Sequence, residues 1–212
     1  MPSPVEISNI ALANLGAENL VSSIDPPDGS VEAGYCATFF PIARTVALEA
    51  GKPAFALRRA ALARVANPSP QWLFAYARPA DCLKPVRVLQ PANFASLFAE
   101  ETIPPTTVVP DAGTARFQLE GDVILTDEPD ATLVYVFDQV DTTKWSPMFA
   151  DAVAALMSGY LAGPLIKGRE GASLGTQWRQ QGYALAAAAT ASVANAADEP
   201  AEHIPAAIRA RA

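Results

Sequence analysis

Residues able to do chemistry are few in this chain, and they stand far apart. Its one histidine, His203, lies in the C-terminal tail, and its two cysteines, Cys36 and Cys82, have no CxxC spacing. A serine or cysteine nucleophile needs a base within hydrogen-bond reach, usually histidine. A solitary His203 sits poorly in that role. Zinc needs about four ligands, more than two cysteines and one histidine supply, so free buried thiols are expected. Glu100-Glu101 and the group Asp127, Glu128 and Asp130 offer paired acids of the kind glycosidases use. Both groups lie in loops beside proline, where solvated acids also belong. The phosphate-cradling patterns GxxxxGK[ST] and GxGxxG after a strand are absent. The expectation is no catalytic residue, no cofactor-binding residue, no metal ligand and no cofactor: a protein that is not an enzyme.

Charge narrows the partners. The net charge is -7, with 15 basic residues against 22 acidic ones. A nucleic-acid groove gathers Lys and Arg on one face to displace counterions. The densest basic group here, Arg58-Arg59 with Arg64 beyond, reads as a solvated helix face. Ile166-Lys167-Gly168-Arg169 reads as a helix–helix turn before an anion site, and Trp72, Phe74 and Tyr76 as core before a base-stacking platform. Charged residues make up 17% of the chain, against about 25% in typical domains. Alanine richness is one explanation of that deficit; the other, which is favoured here, is a surface covered by neighbouring subunits, as in an oligomer. Met1 to Leu20 lacks the basic start of a signal peptide. No uninterrupted apolar run reaches the roughly 20 residues that span a bilayer. A soluble protein made in a cytoplasm is expected, with no membrane partner.

The elements that must position these residues follow from periodicity. Ser3, Pro4 and Glu6 form an N-cap, a first-position proline and a capping-box acid for a helix from Val5 to Leu15, stopped by Gly16. A second helix starts near Ser30 and ends at Gly51-Lys52-Pro53. Its apolar stripe is Tyr35, Phe39, Ile42, Val46 and Ala50, and Pro41 predicts a kink or break. Residues 55–66 fit helix or extended chain. Val86 to Leu89 reads as a strand, and Pro91 to Asp111 as a long surface loop with a weak strand at Thr106 to Val109. Arg116 to Leu119, Val123 to Leu125 and Thr132 to Val140 predict a three-strand meander, in which Phe117, Tyr135 and Phe137 alternate as core residues do. Ser146-Pro147 opens a third helix with Phe149, Val153, Leu156, Met157, Tyr160 and Leu161 on its apolar face, bent or ended at Gly163-Pro164. Lys167 to Gly171 reads as a turn. A last helix from about Ala172 to Ala197 has Trp178, Leu185, Ala189 and Val193 on one side.

These elements predict an α+β fold: an antiparallel helical bundle of N- and C-terminal helices with an inserted small antiparallel β domain. The predicted domains are 1–74 with 142–197 as a discontinuous helical domain, 75–141 as the β insertion, and 198–212 as a flexible tail.

Several stretches come in a familiar order. They are the helix end Asn14-Leu15-Gly16, Arg58-x-x-x-Leu62, Trp72-x-Phe74-Ala75-Tyr76, the turn Arg78-Pro79-x-Asp81-Cys82-Leu83, Val134-Tyr135-Val136, and Trp145-Ser146-Pro147-x-Phe149-x-x-Ala152-Val153. The set resembles the tail tubular protein A family, the head-to-tail adaptors (connectors) of short-tailed bacteriophages, and covers the chain to about Ala197. The chain departs from that pattern between Phe55 and Pro70, where an Ala/Arg-rich, Pro-bounded stretch stands. The resemblance implies a structural virion protein at the head–tail junction. It implies a homo-oligomeric, twelve-fold ring bound to the portal protein above and the tail nozzle protein below, with DNA passing through during ejection and no sequence-specific binding. A helical body with an inserted β domain is implied as well. Alternatives remain: a head-completion or tail-terminator protein of a long-tailed phage, a tail-associated cell-wall hydrolase using Glu100 or Asp127, or a carbohydrate-binding module on the meander.

Overall fold

A computed structural model describes residues 2–89 and 114–197. The predicted loop Pro91 to Asp111, with its strand at Thr106 to Val109, and the tail 198–212 lie outside the described residues. The fold is α+β, with helices and two antiparallel sheets. The chain divides into two units, Met1–Ala54 with Asp141–Ala212 and Phe55–Val140. The first boundary therefore falls about twenty residues before the predicted residue 75, because 57–61 is strand.

The first unit is helical: α1 (Pro4–Ala13), α2 (Val31–Gly51), α3 (Pro147–Leu165) and α4 (Arg169–Ala197). Serine caps start three of them. The Ser3 hydroxyl accepts from Glu6 N at 3.2 Å while the Glu6 carboxylate accepts from Ser3 N, a complete capping box. Ser30 and Ser146 accept from Ala33 N and Phe149 N. α3 packs against α1, α2 and α4, and most of its length is buried. It is long and apolar enough to cross a membrane, yet two-thirds of that stretch is buried inside the protein, as a core helix requires.

Three helix predictions need correction. Of the kink or break expected at Pro41, the break is absent: α2 runs through the proline as one helix, with Phe40 and Ala43 buried on either side of it, packing that outweighs one lost backbone bond. The stripe Tyr35, Phe39, Ile42, Val46 and Ala50 is not the buried face of α2. The buried face is Ala33, Cys36, Phe40, Ala43, Ala47 and Leu48, since small residues admit neighbouring helices more closely. α4 opens at Arg169, directly after Gly168 at φ +87°, and not at Ala172. The helix-end signals held better: Gly16 takes φ +72°, and the left-handed cap of α2 is Lys52 at φ +50°.

The second unit holds β1 (Leu57–Ala61), β2 (Phe74–Ala77), β3 (Cys82–Leu89), β4 (Thr114–Ala115), β5 (Phe117–Glu120), β6 (Val123–Thr126) and β7 (Thr132–Phe137). The stretch 55–66 is extended, its Ala/Arg helix propensity overridden by pairing of β1 with β7. The predicted meander is half right. β5 and β6 form a hairpin, but β7 leaves it and lies between β1 and β3. Leu133 to Phe137 is a continuous apolar run, and such a run belongs in a central strand with neighbours on both edges.

The sheets are ordered β1-β7-β3-β4 and β2-β6-β5, and two bent paths join them. Past β1, Leu62 N still bonds Ala131 O, and the chain then switches partners: Val65 N bonds Ala75 O at 2.9 Å and Ala77 N bonds Ala63 O at 2.8 Å. At the opposite corner β4 pairs with β3 and, one residue later, β5 pairs with β6. Every neighbouring pair is antiparallel, and the two sheets, joined at these corners, make a small barrel-like unit. Its interior is filled by Tyr76, Val88, Ala115, Ile124, Leu133 and Tyr135, among others, as expected of a barrel too narrow for a cavity.

Candidate functional site

Three polar side chains of the β unit, Arg58, Asp81 and Tyr135, meet at one knot on the turn before β3. Asp81 Oδ2 takes a 2.6 Å charged hydrogen bond from Arg58 on β1, and Asp81 Oδ1 takes a 2.8 Å bond from the Tyr135 hydroxyl on β7. The Arg58 guanidinium also stands 3.7 Å from the centre of the Phe137 ring, a cation–π arrangement. Arg78 wraps the same turn, donating through Nε to Cys82 O at 3.1 Å and through Nη2 to the Cys82 and Leu83 carbonyls. Burial pushes the Asp81 carboxyl up, but the bonds from Tyr135 and Arg58 outweigh it, and the carboxyl ends below its ordinary value. Burial first, then the Asp81 carboxylate, raises the Tyr135 phenol. A carboxylate held charged by an arginine and a tyrosine organises a fold; it is poorly placed to take a proton near neutrality.

The acidic candidates are placed apart from one another in role. Asp127 accepts Leu73 N at 3.1 Å and faces Arg116 at 3.9 Å. Arg116 in turn lies over the Trp72 ring. Asp130 occupies the left-handed region at φ +52° and stands 4.0 Å from Arg64. The Glu128 carbonyl accepts the Tyr76 hydroxyl at 2.8 Å. Each thus serves the turn that carries it. Glu100, Glu101 and His203 lie outside the described residues.

Both cysteines are buried and unpaired. Burial raises Cys36 to about 11 and raises Cys82 as well, which leaves neither thiol nucleophilic near neutrality. Among the described residues no group of three or more His, Cys, Asp or Glu is placed to hold a metal ion.

Three of the clefts formed by the described residues bear on function. One of about 380 Å³ lies by Gln71, Trp72, Arg116 and Gln118. One of about 310 Å³ lies between the end of α1 and the end of α3, with Glu18 and Glu32 on its walls. The third, about 670 Å³, is a mostly apolar groove on α1 lined by Pro2, Glu6, Asn9, Ile10, Ala13 and Leu20. None brings a nucleophile and a base together. Its wall includes Ile10, exposed beside the buried face of α1 formed by Ile7, Ser8, Ala11 and Leu12.

The fold defines a two-unit α+β protein: a helical unit from two separate stretches of chain, and a unit of two antiparallel sheets from the stretch between them. No protein-family model matches the chain, and no curated protein is significantly similar to it in sequence.

Proposed function

We propose that this protein is a structural virion component: a head-to-tail adaptor whose copies form a ring between portal and tail nozzle, around the path of the exiting DNA. The observation that supports this reading is a convergence. Arg58, Asp81 and Tyr135 come from three separate stretches of the motif set that resembles the tail tubular protein A family, and they meet in one hydrogen-bonded knot. Asn14, from a fourth stretch, donates to Ser158 Oγ at 3.1 Å. Trp145 and Phe149, from a fifth, pack edge to face at 5.0 Å, with Phe40 stacked on Trp145. Motif residues used in this way maintain a scaffold. The layout of a helical body with an inserted β unit is also the one the resemblance implies.

Physical chemistry agrees with the role. A conduit should pass DNA without gripping it, and a chain of net charge -7 repels a polyanion where a basic ring would stall it.

The test mixes the purified protein with the portal protein of the same phage and examines the products by negative-stain microscopy. Rings seated on the portal are expected. A subunit that ignores the portal yet clears peptidoglycan in a zymogram, with clearing lost in Asp127→Asn or Glu100→Gln, overturns the reading.

A further inference from the structure

The fifteen residues that follow α4, 198–212, change character along their length. Asp198, Glu199 and Glu202 come first, and Arg209 and Arg211 come last. Between them stand two large apolar side chains, Ile204 and Ile208, four residues apart. That spacing puts both on one side of a single helical turn, with Arg209 next to the second.

The running directions of the helices fix where this segment starts. α4 is antiparallel to α3: a Cβ added at Gly171 would meet the Ile166 carbonyl, at Gly175 the Gly159 carbonyl, and at Gly182 the Leu156 side chain. α1 is parallel to α3. Ser158 holds Asn14 and the Ala11 carbonyl, and Leu15 at the end of α1 borders one cleft with Leu165 at the end of α3. Ala197 therefore leaves the helical unit at the same end of α3 as the start of α1. Both helices pack on α3, and packed axes lie about 8–10 Å apart, so the axes of α1 and α4 are at most about 20 Å apart. Fifteen extended residues reach about 50 Å, enough to cross that width and turn back along α1.

The apolar groove on α1 begins at this end, with Pro2 and Glu6 on its wall. Ile10 and Leu20, 41% and 63% exposed, are its large apolar side chains. Glu6 is its one charge, kept ionised by the bonds with Ser3 that hold it below its ordinary value. A groove of about 670 Å³ with two exposed aliphatic side chains and one carboxylate suits an occupant with a pair of aliphatic side chains and one cation. The end of the chain offers that set, and its acidic beginning would be repelled.

We propose that the C-terminal segment folds back onto its own chain, Ile204 and Ile208 seating between Ile10 and Leu20 while Arg209 meets Glu6. The ion pair is solvated and adds little; burial of the four aliphatic side chains carries the contact. A contact this small holds because a short tether keeps the segment at millimolar effective concentration beside the groove. Between separate molecules it would not last. The inference goes beyond the adaptor reading and does not rest on it.

The experiment places a nitroxide on Ala210→Cys in the full ¹⁵N-labelled chain and reads backbone amide signals by NMR. Cys36 and Cys82 are buried and stay unlabelled in the folded protein. The signals of Asn9, Ile10 and Leu20 should be lost and should return when the nitroxide is reduced. Ser173, near the start of α4 at the opposite end of α3, should keep its signal. Leu20→Glu blocks the groove and Ile208→Glu blocks the segment; each, made in the labelled chain, should restore the lost signals, with circular dichroism checking the fold. A mixture of ¹⁵N chain without the added cysteine and nitroxide-bearing chain without ¹⁵N reads contact between copies, and should keep every signal. Four results would each overturn the inference: groove signals retained in the labelled chain, equal losses at Ser173, losses unchanged in either variant, or losses in the mixture, which would put the segment on a neighbouring copy.

Discussion

A Cβ placed on Gly175 would stand 2.8 Å from the carbonyl oxygen of Gly159, so α3 and α4 meet at backbone contact. Gly182 repeats the arrangement, its Cβ position lying 2.6 Å from Leu156 Cγ, and Gly51 does so against the Ala186 carbonyl at 2.6 Å. In an open helix, Gly→Ala stabilises by about 1 kcal/mol. At Gly175 the added methyl must push two backbones apart, and overpacking costs about 1–3 kcal/mol. Gly175→Ala should therefore lower stability by about 1–2 kcal/mol. Gly34→Ala, in the first turn of α2 with no atom within 4 Å of the new methyl, should raise it slightly. Urea unfolding midpoints decide: two shifts of the same sign would mean that the α3–α4 seam is not tight.

Ser158 is the polar pin of the same unit. It is fully buried, accepts from Asn14 Nδ2 at 3.1 Å, and shares its hydroxyl proton between Ala154 O at 2.9 Å and Ala11 O at 3.2 Å. Ser158→Ala removes the partner of the half-buried Asn14 amide, which water can partly replace, so the loss should fall near the low end, about 1 kcal/mol, of the cost of an unmet polar group. Asn14→Ala should cost less, because Ser158 keeps its carbonyl acceptors. Adding Asn14→Ala to Ser158→Ala should cost little more, which a double-mutant cycle by thermal melting will read.

The caps and the strands were legible in the sequence because both write themselves into short local patterns. Ser3-x-x-Glu6, Ser146-Pro147 and the alternation through Phe117, Leu119 and Val123 each need only a few neighbouring residues. The helix seam was not legible for the opposite reason. Gly159, Gly175 and Gly182 score as helix breakers, and their value appears only when a second backbone lies against them. The same blindness misassigned α2, where large residues suggested the core but Ala33, Cys36, Ala43 and Ala47 were small enough to be buried. The joining of the two sheets depends on partner switches at residues 62–65 and at Arg116, and no local pattern encodes a change of partner. The acids suspected of chemistry were visible by type alone. What Asp81 and Asp127 do depends on Arg58, Tyr135 and Leu73, up to 54 residues away.

Cys36 offers a probe of unfolding. Burial, with the Glu32 and Asp28 carboxylates adding to it and Ser8 opposing, lifts the thiol to about 11. The reactive thiolate is then scarce at pH 8, and Cys82 shifts in the same direction. A thiol reagent at pH 8 should label neither cysteine quickly in the native protein and both at once in denaturant. Native labelling should track the opening equilibrium, so Ser158→Ala should accelerate it by about tenfold for each 1.4 kcal/mol lost. Rapid labelling of the native wild type would contradict the burial of both thiols.

The knot at Asp81 ties stability to pH with a definite sign. The folded carboxyl lies below its ordinary value, so the unfolded chain takes up protons first as the solution is acidified. The contribution is whole above the unfolded value of roughly 3.9 and is lost as pH falls through the lower folded value. Arg58 and Asp81 side chains are about half exposed, at 52% and 44%, and solvent screening limits the ion pair. Asp81→Asn should therefore cost about 1 kcal/mol at pH 7, with most of that loss traceable to the charged hydrogen bond from Tyr135. Other carboxyls held low, such as Glu6 and Asp141, also weaken the fold in acid, so the difference between wild type and variant is the quantity to follow. That difference should be constant from pH 7 to about 5 and shrink as pH falls through the lowered folded value, below which a protonated Asp81 resembles asparagine. Tyr135→Phe should reduce it at every pH above 4, because the phenol is one of the two donors that keep Asp81 ionised. A difference that instead grew in acid would mean that Asp81 is carried protonated in the fold, and the knot would have to be reassigned.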